Sequence, residues 1–293
     1  MKIAIFGQAF NSNTEEALVV ILHYLNNREG VSVFLIAEFN EKIQEKKPSE
    51  FNFTKITDTL DPSFDLLISI GGDGTILRAV TYVHDLNIPV IGVNTGRLGF
   101  LATIQNQLII PSLDAIFNKA YRISERHLLV IDTFPKVSAF DTYNFALNEI
   151  AVSRKNTTSM ISVETRLNDE YLTSYWSDGL IVSTPTGSTG YSLSCGGPVI
   201  TPDTNSLVIT PISPHNLSAR PLVVKDSTEV KLKVNGREDN FLVSLDSRIT
   251  TLSNETIITI KKAPFTIKMI ELLEESFLDT LRKKLLWGED KRN

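Results

Sequence analysis

The chain has 293 residues, 42% of them hydrophobic, enough for one large domain or two ordinary ones with a sizeable core. Its formal charge of −5 argues against the broad basic face that nucleic-acid binding needs, while leaving room for a local basic pocket for an anionic ligand. No apolar run approaches the roughly 20 residues that span a bilayer, Met1 to Gly7 is too short and strand-like for a signal peptide, and a single cysteine, Cys195, excludes an internal disulfide and fits a reducing, cytoplasmic location.

In chain order, Lys2 to Phe6 is a short apolar strand. Asn13-Thr14-Glu15-Glu16 has the form of a capping box, with Asn13 as N-cap and Glu16 at the third helical position. The helix it opens runs to about Arg28, with Ala17, Val20, Ile21, Tyr24 and Leu25 at helical spacing, and Gly30 ends it. Val31 to Ile36 is the next strand. Glu41 to Phe53 is charged, carries Pro48, and reads as loop or weak helix. Leu66 to Ile70 is a buried strand, Ile76 to Val80 a helix, and Pro89 to Asn94 a further strand. This alternation predicts a parallel sheet covered on both faces.

The pattern changes near Tyr121. Ile161 to Leu167 alternates apolar with polar before Asn168-Asp169, and Glu229 to Val234 does so before Asn235-Gly236, a tight-hairpin signal. Leu128 to Ile131, Phe241 to Leu245 and Thr256 to Ile260 read as additional strands. An all-β sandwich is predicted for residues 123–267. The α/β domain covers 1–122 and is completed by 268–293, where Met269 to Trp287 reads as helical.

Between the strand ending at Ile70 and the helix from Ile76 lies Gly71-Gly72-Asp73-Gly74-Thr75. Glycine lets a ligand approach the main chain, and the bare N–H groups at a helix start favour anions, phosphate above all. Asp73 is then an acceptor, a metal ligand or a base beside a phosphate cradle; the plainer alternative is a turn with an acidic N-cap. The carboxyl end of a strand in an open α/β sheet is where ligands bind, and the combination points to phosphoryl transfer from a nucleotide.

A second cluster runs from Asp178-Gly179-Leu180 through Ser183-Thr184-Pro185-Thr186-Gly187-Ser188-Thr189-Gly190-Tyr191-Ser192-Leu193-Ser194 to Cys195-Gly196-Gly197-Pro198. Hydroxyls supply uncharged donors and acceptors, and glycines admit a flat ring or a ribose. A flexible Ser/Gly loop is the alternative, but the stretch follows a clear strand and carries Tyr191 and Leu193, which favours a binding loop. Asn148-Glu149, after Phe145-Ala146-Leu147, can read an adenine edge and a ribose diol. The chain has no Gly-x-x-x-x-Gly-Lys and no Gly-x-Gly-x-x-Gly after the first strand. His23, His84, His127 and His215 lack ligand spacing, no metal ligands are assigned, and Cys195 has no evident base partner.

With these three motifs in this order, the chain resembles the NAD kinase family over essentially its whole length, including Asn94 to Leu101 and Leu217-Ser218-Ala219-Arg220-Pro221. The first motif is shared with lipid and sugar kinases; the long Gly/Ser/Thr motif is far more specific. The resemblance implies transfer of the terminal phosphate of ATP to the 2′-hydroxyl of the adenosine ribose of NAD, with magnesium accompanying ATP. It implies that Asp73 is the general base and that Gly71, Gly72, Gly74 and Thr75 form the phosphate loop. Asn148 and Glu149 would hold adenine and ribose, Asp178 would bind toward the nicotinamide end, and Thr189, Gly190, Tyr191, Ser192, Leu193 and Ser194 would line the dinucleotide cleft. Phe100 would pack near adenine, Ala219 would contact it through the backbone, and Arg78 would contact phosphate. Trp176 and Arg248 depart from common variants; Arg248 could reinforce phosphate binding or face solvent. A homodimer or homotetramer is also implied, with Asp178 and the Tyr171 to Trp176 strand contributing across the interface, and neither a nucleic acid nor a membrane as partner. The competing readings are a lipid or sugar kinase with the same glycine loop, and a non-catalytic NAD(P)-binding sensor.

Overall fold

The computed structural model describes residues 1–47, 55–156 and 159–287. The chain divides into two units, Met1–Glu125 with Ile267–Asn293, and Arg126–Thr266. Residues 48–53, within the charged segment read as loop or weak helix, lie outside the described residues.

In the first unit β1 (Lys2–Gly7) leads to α1 (Ser12–Asn26), β2 (Ser32–Ile36), α2 (Ala37–Gln44), β3 (Ile56–Thr57), β4 (Leu66–Gly71), α3 (Asp73–Val83), β5 (Val90–Asn94), β6 (Ile104–Gln105) and α4 (Ile109–Phe117). The strands are parallel in the order β3-β2-β1-β4-β5, with β6 on β5. Ile3, Ala4, Ile5 and Phe6 are all fully buried, so both faces of β1 are covered, as a parallel sheet between helices requires. α1 starts two residues earlier than expected. Its N-cap is Asn11, whose side chain accepts the Thr14 N–H. Asn13 instead reaches the Thr95 carbonyl at 3.0 Å, and Glu16 is exposed, so no capping box forms. The same apolar stripe, Ala17, Leu18, Ile21 and Leu25, is buried for either start, which is why periodicity alone does not fix the cap.

The second unit is built from β7 (Tyr121–Phe134), β8 (Phe145–Ala146), β9 (Glu149–Arg154), β10 (Ile161–Leu167), β11 (Glu170–Ser177), β12 (Gly179–Ser183), α5 (Tyr191–Ser194), β13 (Ser206–Ile212), β14 (Leu222–Lys225), β15 (Val230–Asn235), β16 (Asn240–Leu245), β17 (Arg248–Ser253) and β18 (Ile257–Leu272), before the final helix α6 (Phe277–Leu285). The division between units falls within β7 and β18. One antiparallel sheet runs β11-β10-β15-β18 and the other β14-β13-β12-β9-β16-β17. Val163 and Leu232 of the first and Val182, Phe241 and Val243 of the second meet in one dry core, giving the expected β-sandwich.

Two expectations are corrected. Asn235-Gly236 is not a tight hairpin: β15 lies in one sheet and β16 in the other, so the dipeptide carries the chain between sheets. The inward faces of both strands need the same core, and alternation is blind to which sheet supplies the partner. Asn168-Asp169 is a true hairpin turn, both residues at positive φ (49° and 68°) between β10 and β11. The tail is helical only over α6. Up to Leu272 the chain is strand, with Ile267 and Met269 buried and Met269 paired in parallel with Val90 of β5. Among the described residues no helix is long and apolar enough to cross a membrane.

Candidate active site

In the first unit the site centres on the turn from β4 into α3. Gly71 has φ 153°, and a Cβ there would overlap the Thr75 hydroxyl, so the turn requires glycine. Gly72 is the N-cap and Asp73 the first helical residue; Asp73 therefore does not cap its own helix. Its side chain reaches to the loop before β6. Oδ2 accepts the Phe100 N–H at 2.8 Å, and Oδ1 accepts those of Leu101 and Ala102 at 3.0 and 2.9 Å. A carboxylate offers about four lone-pair positions; three are taken, and the remaining one lies on Oδ2. The loop comes this close because residue 99 is glycine, where a Cβ would overlap Asp73 Oδ1. A Cβ on Gly72 or Gly74 would meet nothing within 4 Å, so neither is glycine for reasons of internal packing.

The other residues expected beside Asp73 are engaged locally. Arg78 donates to Glu38 at 2.9 Å, and the Tyr82 hydroxyl donates to the same oxygen, so Arg78 belongs to an ion pair between α3 and α2. The Phe100 ring packs on Phe277 of α6, 6.3 Å between centroids, with Lys284 over its face; its backbone N–H is the part that touches Asp73.

In the second unit Asn148 and Glu149 stand at the start of β9. Asn148 Oδ1 and Glu149 Oε2 are buried with no hydrogen-bond partner among the described residues. Buried acceptors are almost always paired, so two adjacent orphans make this a candidate place for donors from a ligand. Gly190 lies against both: a Cβ there would come within 3.1 Å of Glu149 Oε2 and 3.4 Å of Asn148 Nδ2.

The Gly/Ser/Thr stretch is not a flexible loop. Thr184 Oγ1 donates to the Leu147 carbonyl at 2.6 Å and accepts the Gly187 N–H, and Ser183 donates to the Asn148 carbonyl. Ser188 both accepts the Ile200 N–H and donates to the Ile200 carbonyl. These hydroxyls bind backbone and fix the loop around residues 147–149. Ser192, expected to line the cleft, is fully buried with its hydroxyl on Thr210 at 2.8 Å. Tyr191 and Ser194 are exposed, and Thr189 and Leu193 are partly so.

The electrostatics are those of a dry acidic pocket. Burial, then the nearby Asp246 charge, pushes the Glu149 carboxyl up to about 8, against the opposing Tyr191 N–H. Burial and the charges of Cys195, Asp178 and Glu149 raise the Tyr191 phenol, and burial with Glu149 raises the Cys195 thiol, which fits a packed side chain better than a nucleophile. Asp178 pairs with Arg154 at 3.0 Å, a partner with no local sequence signal. Asp246, unremarked in the sequence, accepts the N–H groups of Leu147, Asn148 and Glu149. Arg248 is partly exposed, and its guanidinium donates to the Tyr143 and Phe145 carbonyls. Ala219 lines a cavity of about 340 Å³ with Trp176, Tyr175, Asn216, Arg220 and Leu222, where the half-exposed Trp176 lies on His215.

A glycine-flanked carboxylate on an α/β unit, joined in one chain to a sandwich with orphaned polar atoms, defines a two-domain phosphotransferase. Comparison with known proteins narrows that class. Residues 15–121 match the ATP-NAD kinase N-terminal domain and residues 147–272 the ATP-NAD kinase C-terminal domain. The NAD kinases of Flavobacterium psychrophilum and Christiangramia forsetii are 56% and 57% identical to it over 295 residues, with both chains covered in full. A yeast NADH kinase crystallised with NADH superposes with a TM-score of 0.84 at 25% identity, covering 100% of this chain and 89% of that one. An Archaeoglobus fulgidus NAD kinase in complex with ATP shares the fold, with a TM-score of 0.74 at 24% identity over 98% and 99% of the two chains. The chain belongs to the ATP-NAD kinase family.

Two outcomes follow from this geometry. Gly99→Ala forces the loop away from Asp73; a displacement of about 1 Å can lower turnover roughly 10²-fold, measurable as NADP formation, whereas near-wild-type turnover would show that the close approach is dispensable. Glu149 gives a pH signature in stability. Its folded value, about 8, lies above the ordinary 4.5, so the folded state holds a proton that the unfolded chain has lost between those values. The stabilisation is complete below about 4.5 and is lost as pH rises through about 8, at up to ~1.4 kcal/mol per pH unit. Glu149→Gln removes this slope, so denaturation midpoints of variant and parent should diverge as pH rises from 5 to about 8; parallel profiles would contradict the raised carboxyl.

Proposed function

We propose that in this NAD kinase Asp73 is the base that takes the proton of the 2′-hydroxyl on the adenosine ribose of NAD, and that Asn148 and Glu149 hold that adenosine. The observation carrying the dinucleotide half is the pair of orphaned buried acceptors, Asn148 Oδ1 and Glu149 Oε2. Adenine and a ribose diol supply the donors these atoms lack. A lipid or sugar acceptor brings no purine edge to donate to Asn148 Oδ1. Curated relatives named NAD kinase at 56–57% identity favour NAD over NADH as acceptor, although the yeast relative was crystallised with NADH.

The reaction asks for positioning and charge neutralisation more than covalent help from the protein. The 2′-hydroxyl gives its proton to the open lone pair on Asp73 Oδ2 while its oxygen bonds to the terminal phosphorus of ATP. The bond from that phosphorus to the bridging oxygen breaks, and ADP leaves. The three loop N–H groups keep the carboxylate aimed, and the open space at Gly72 and Gly74 admits phosphate oxygens to the α3 N-terminus. Magnesium enters as part of the nucleotide substrate, where it neutralises phosphate charge. A magnesium ion on the nucleotide would keep several waters and need few protein ligands.

We further infer that the working unit is a homo-oligomer formed through the sandwich. β11 is a sheet edge in this unit, and it exposes Tyr171 and Trp176; Leu217, Val223 and Ile249 are exposed elsewhere on it. Unpaired edges and apolar exposure on this scale are where a second chain adds.

Asp73→Asn should lower turnover roughly 10²–10⁴-fold while the dissociation constant for NAD changes little. The amide oxygen can still accept Leu101 and Ala102 N–H, so the loop loses one bond rather than three. NADP formation within a few-fold of wild type would refute the base assignment. Light scattering at micromolar concentration should give at least twice the 32.6 kDa of one chain; an active species of single-chain mass would refute the assembly.

A further inference from the structure

Asp246 has no place in the transfer described above, yet it is among the most enclosed charged groups of the sandwich. It stands first in the two-residue turn between β16 and β17, where Leu245 pairs with Arg248, at a positive φ of 52° that Asp tolerates. From there Oδ1 accepts the N–H groups of Asn148 at 2.8 Å and Glu149 at 3.2 Å, and Oδ2 that of Leu147 at 2.9 Å. The Asp246 N–H in turn donates to the Glu149 carbonyl at 3.0 Å. The pair expected to hold adenosine is thus pinned, residue by residue, by one side chain.

The same arrangement places two carboxyl groups in one dry spot. The Asp246 side chain is only 4% exposed, with Arg248 Nη2 at 4.0 Å from Oδ2. Burial raises the Asp246 carboxyl, against three amides and that guanidinium, which favour its charged form. Glu149 Oε2 has no such partner. The other groups around Glu149 are the Tyr191 N–H and phenol, the Cys195 thiol, and beyond Tyr191 the Asp178–Arg154 pair. Two like charges so enclosed cannot both be maintained at low cost, and the proton goes to the less compensated oxygen.

We propose that Asp246 is a positioning residue that fixes the Asn148–Glu149 pair and keeps a proton on Glu149 until NAD arrives, so that NAD binding expels that proton. This rests on the assignment of Asn148 and Glu149 to the adenosine of NAD. A ribose hydroxyl donating to Glu149, with the 2′-hydroxyl proton left for Asp73, stabilises its charged form, and the balance is carboxylic acid plus NAD giving carboxylate–NAD complex plus a proton released to buffer. The rise of the Glu149 carboxyl to about 8 in the free protein agrees with this state at neutral pH.

Calorimetric titration of the full chain with NAD at pH 7, in two buffers of different ionisation enthalpy, reads the proton directly. Release of close to one proton per NAD is expected at pH 7, falling toward zero by pH 9. Glu149→Gln should abolish the release. Asp246→Asn, which keeps a residue at home at positive φ, should shrink it at pH 7 and raise the KM for NAD several-fold while leaving that for ATP nearly unchanged; a purely structural loss would raise both. NAD binding with the same heat in both buffers would overturn the inference while leaving the NAD kinase reading intact. No NAD binding at all would overturn that reading instead. The wild-type and Glu149→Gln titrations decide the matter even if Asp246→Asn does not fold.

Discussion

Two aspartates hold the functional segments of this chain by the same device. Asp73 accepts the N–H groups of Phe100, Leu101 and Ala102, and Asp246 those of Leu147, Asn148 and Glu149. A hydrogen bond to a charged acceptor contributes about 1.5–3 kcal/mol, and three convergent ones leave a short loop few other conformations. Each aspartate sits where regular structure has just ended or begun, one at a helix start and one in a hairpin turn. Placement of the groups proposed to react and to bind therefore depends on backbone, not on long side chains with many rotamers. The arrangement keeps the site preorganised, as phosphoryl transfer requires.

The surrounding hydroxyls serve the same end. Ser183, Thr184 and Ser188 are fully buried and bound to backbone, and Ser192, equally buried, is bound to the Thr210 hydroxyl. A stretch that reads as a ligand-lined loop is, over much of its length, the support behind the Asn148–Glu149 pair. Against this satisfied background, the orphaned oxygens of Asn148 and Glu149 stand out. Their desolvation is a local cost in the free protein, recovered when donors arrive.

The parallel sheet, the sandwich and the two motif segments were legible because each has a strong local signature: period two, helical spacing, or glycines around an acid. What the sequence concealed was partnership. Asn11 and Asn13 are equally good caps on paper, and only the Thr95 carbonyl separates them. Asn235-Gly236 has the composition of a hairpin, yet its flanking strands belong to different sheets. Met269 pairs with Val90 of β5, beyond the stretch of β18 that pairs with β15, so its place is set by a strand far away in sequence. Gly99, Arg154 and Asp246 matter through residues at least 24 positions away. A hint for Asp246 existed, since an acidic residue at the corner of two alternating strands often turns inward to cap backbone. Arg78 and Arg248 show the converse: cations that suit phosphate by type are committed to Glu38 and to backbone carbonyls.

The central claim is that the unpartnered acceptors of residues 148 and 149 are the adenosine seat of NAD. A crystal structure of the full chain grown with NAD tests it most directly. Asn148 Oδ1 should then accept from adenine and Glu149 from the ribose diol, each within about 3.2 Å, with Asp246 still holding the three amides behind them. A bound dinucleotide whose adenosine lies elsewhere, with both oxygens still without a partner, would contradict the account.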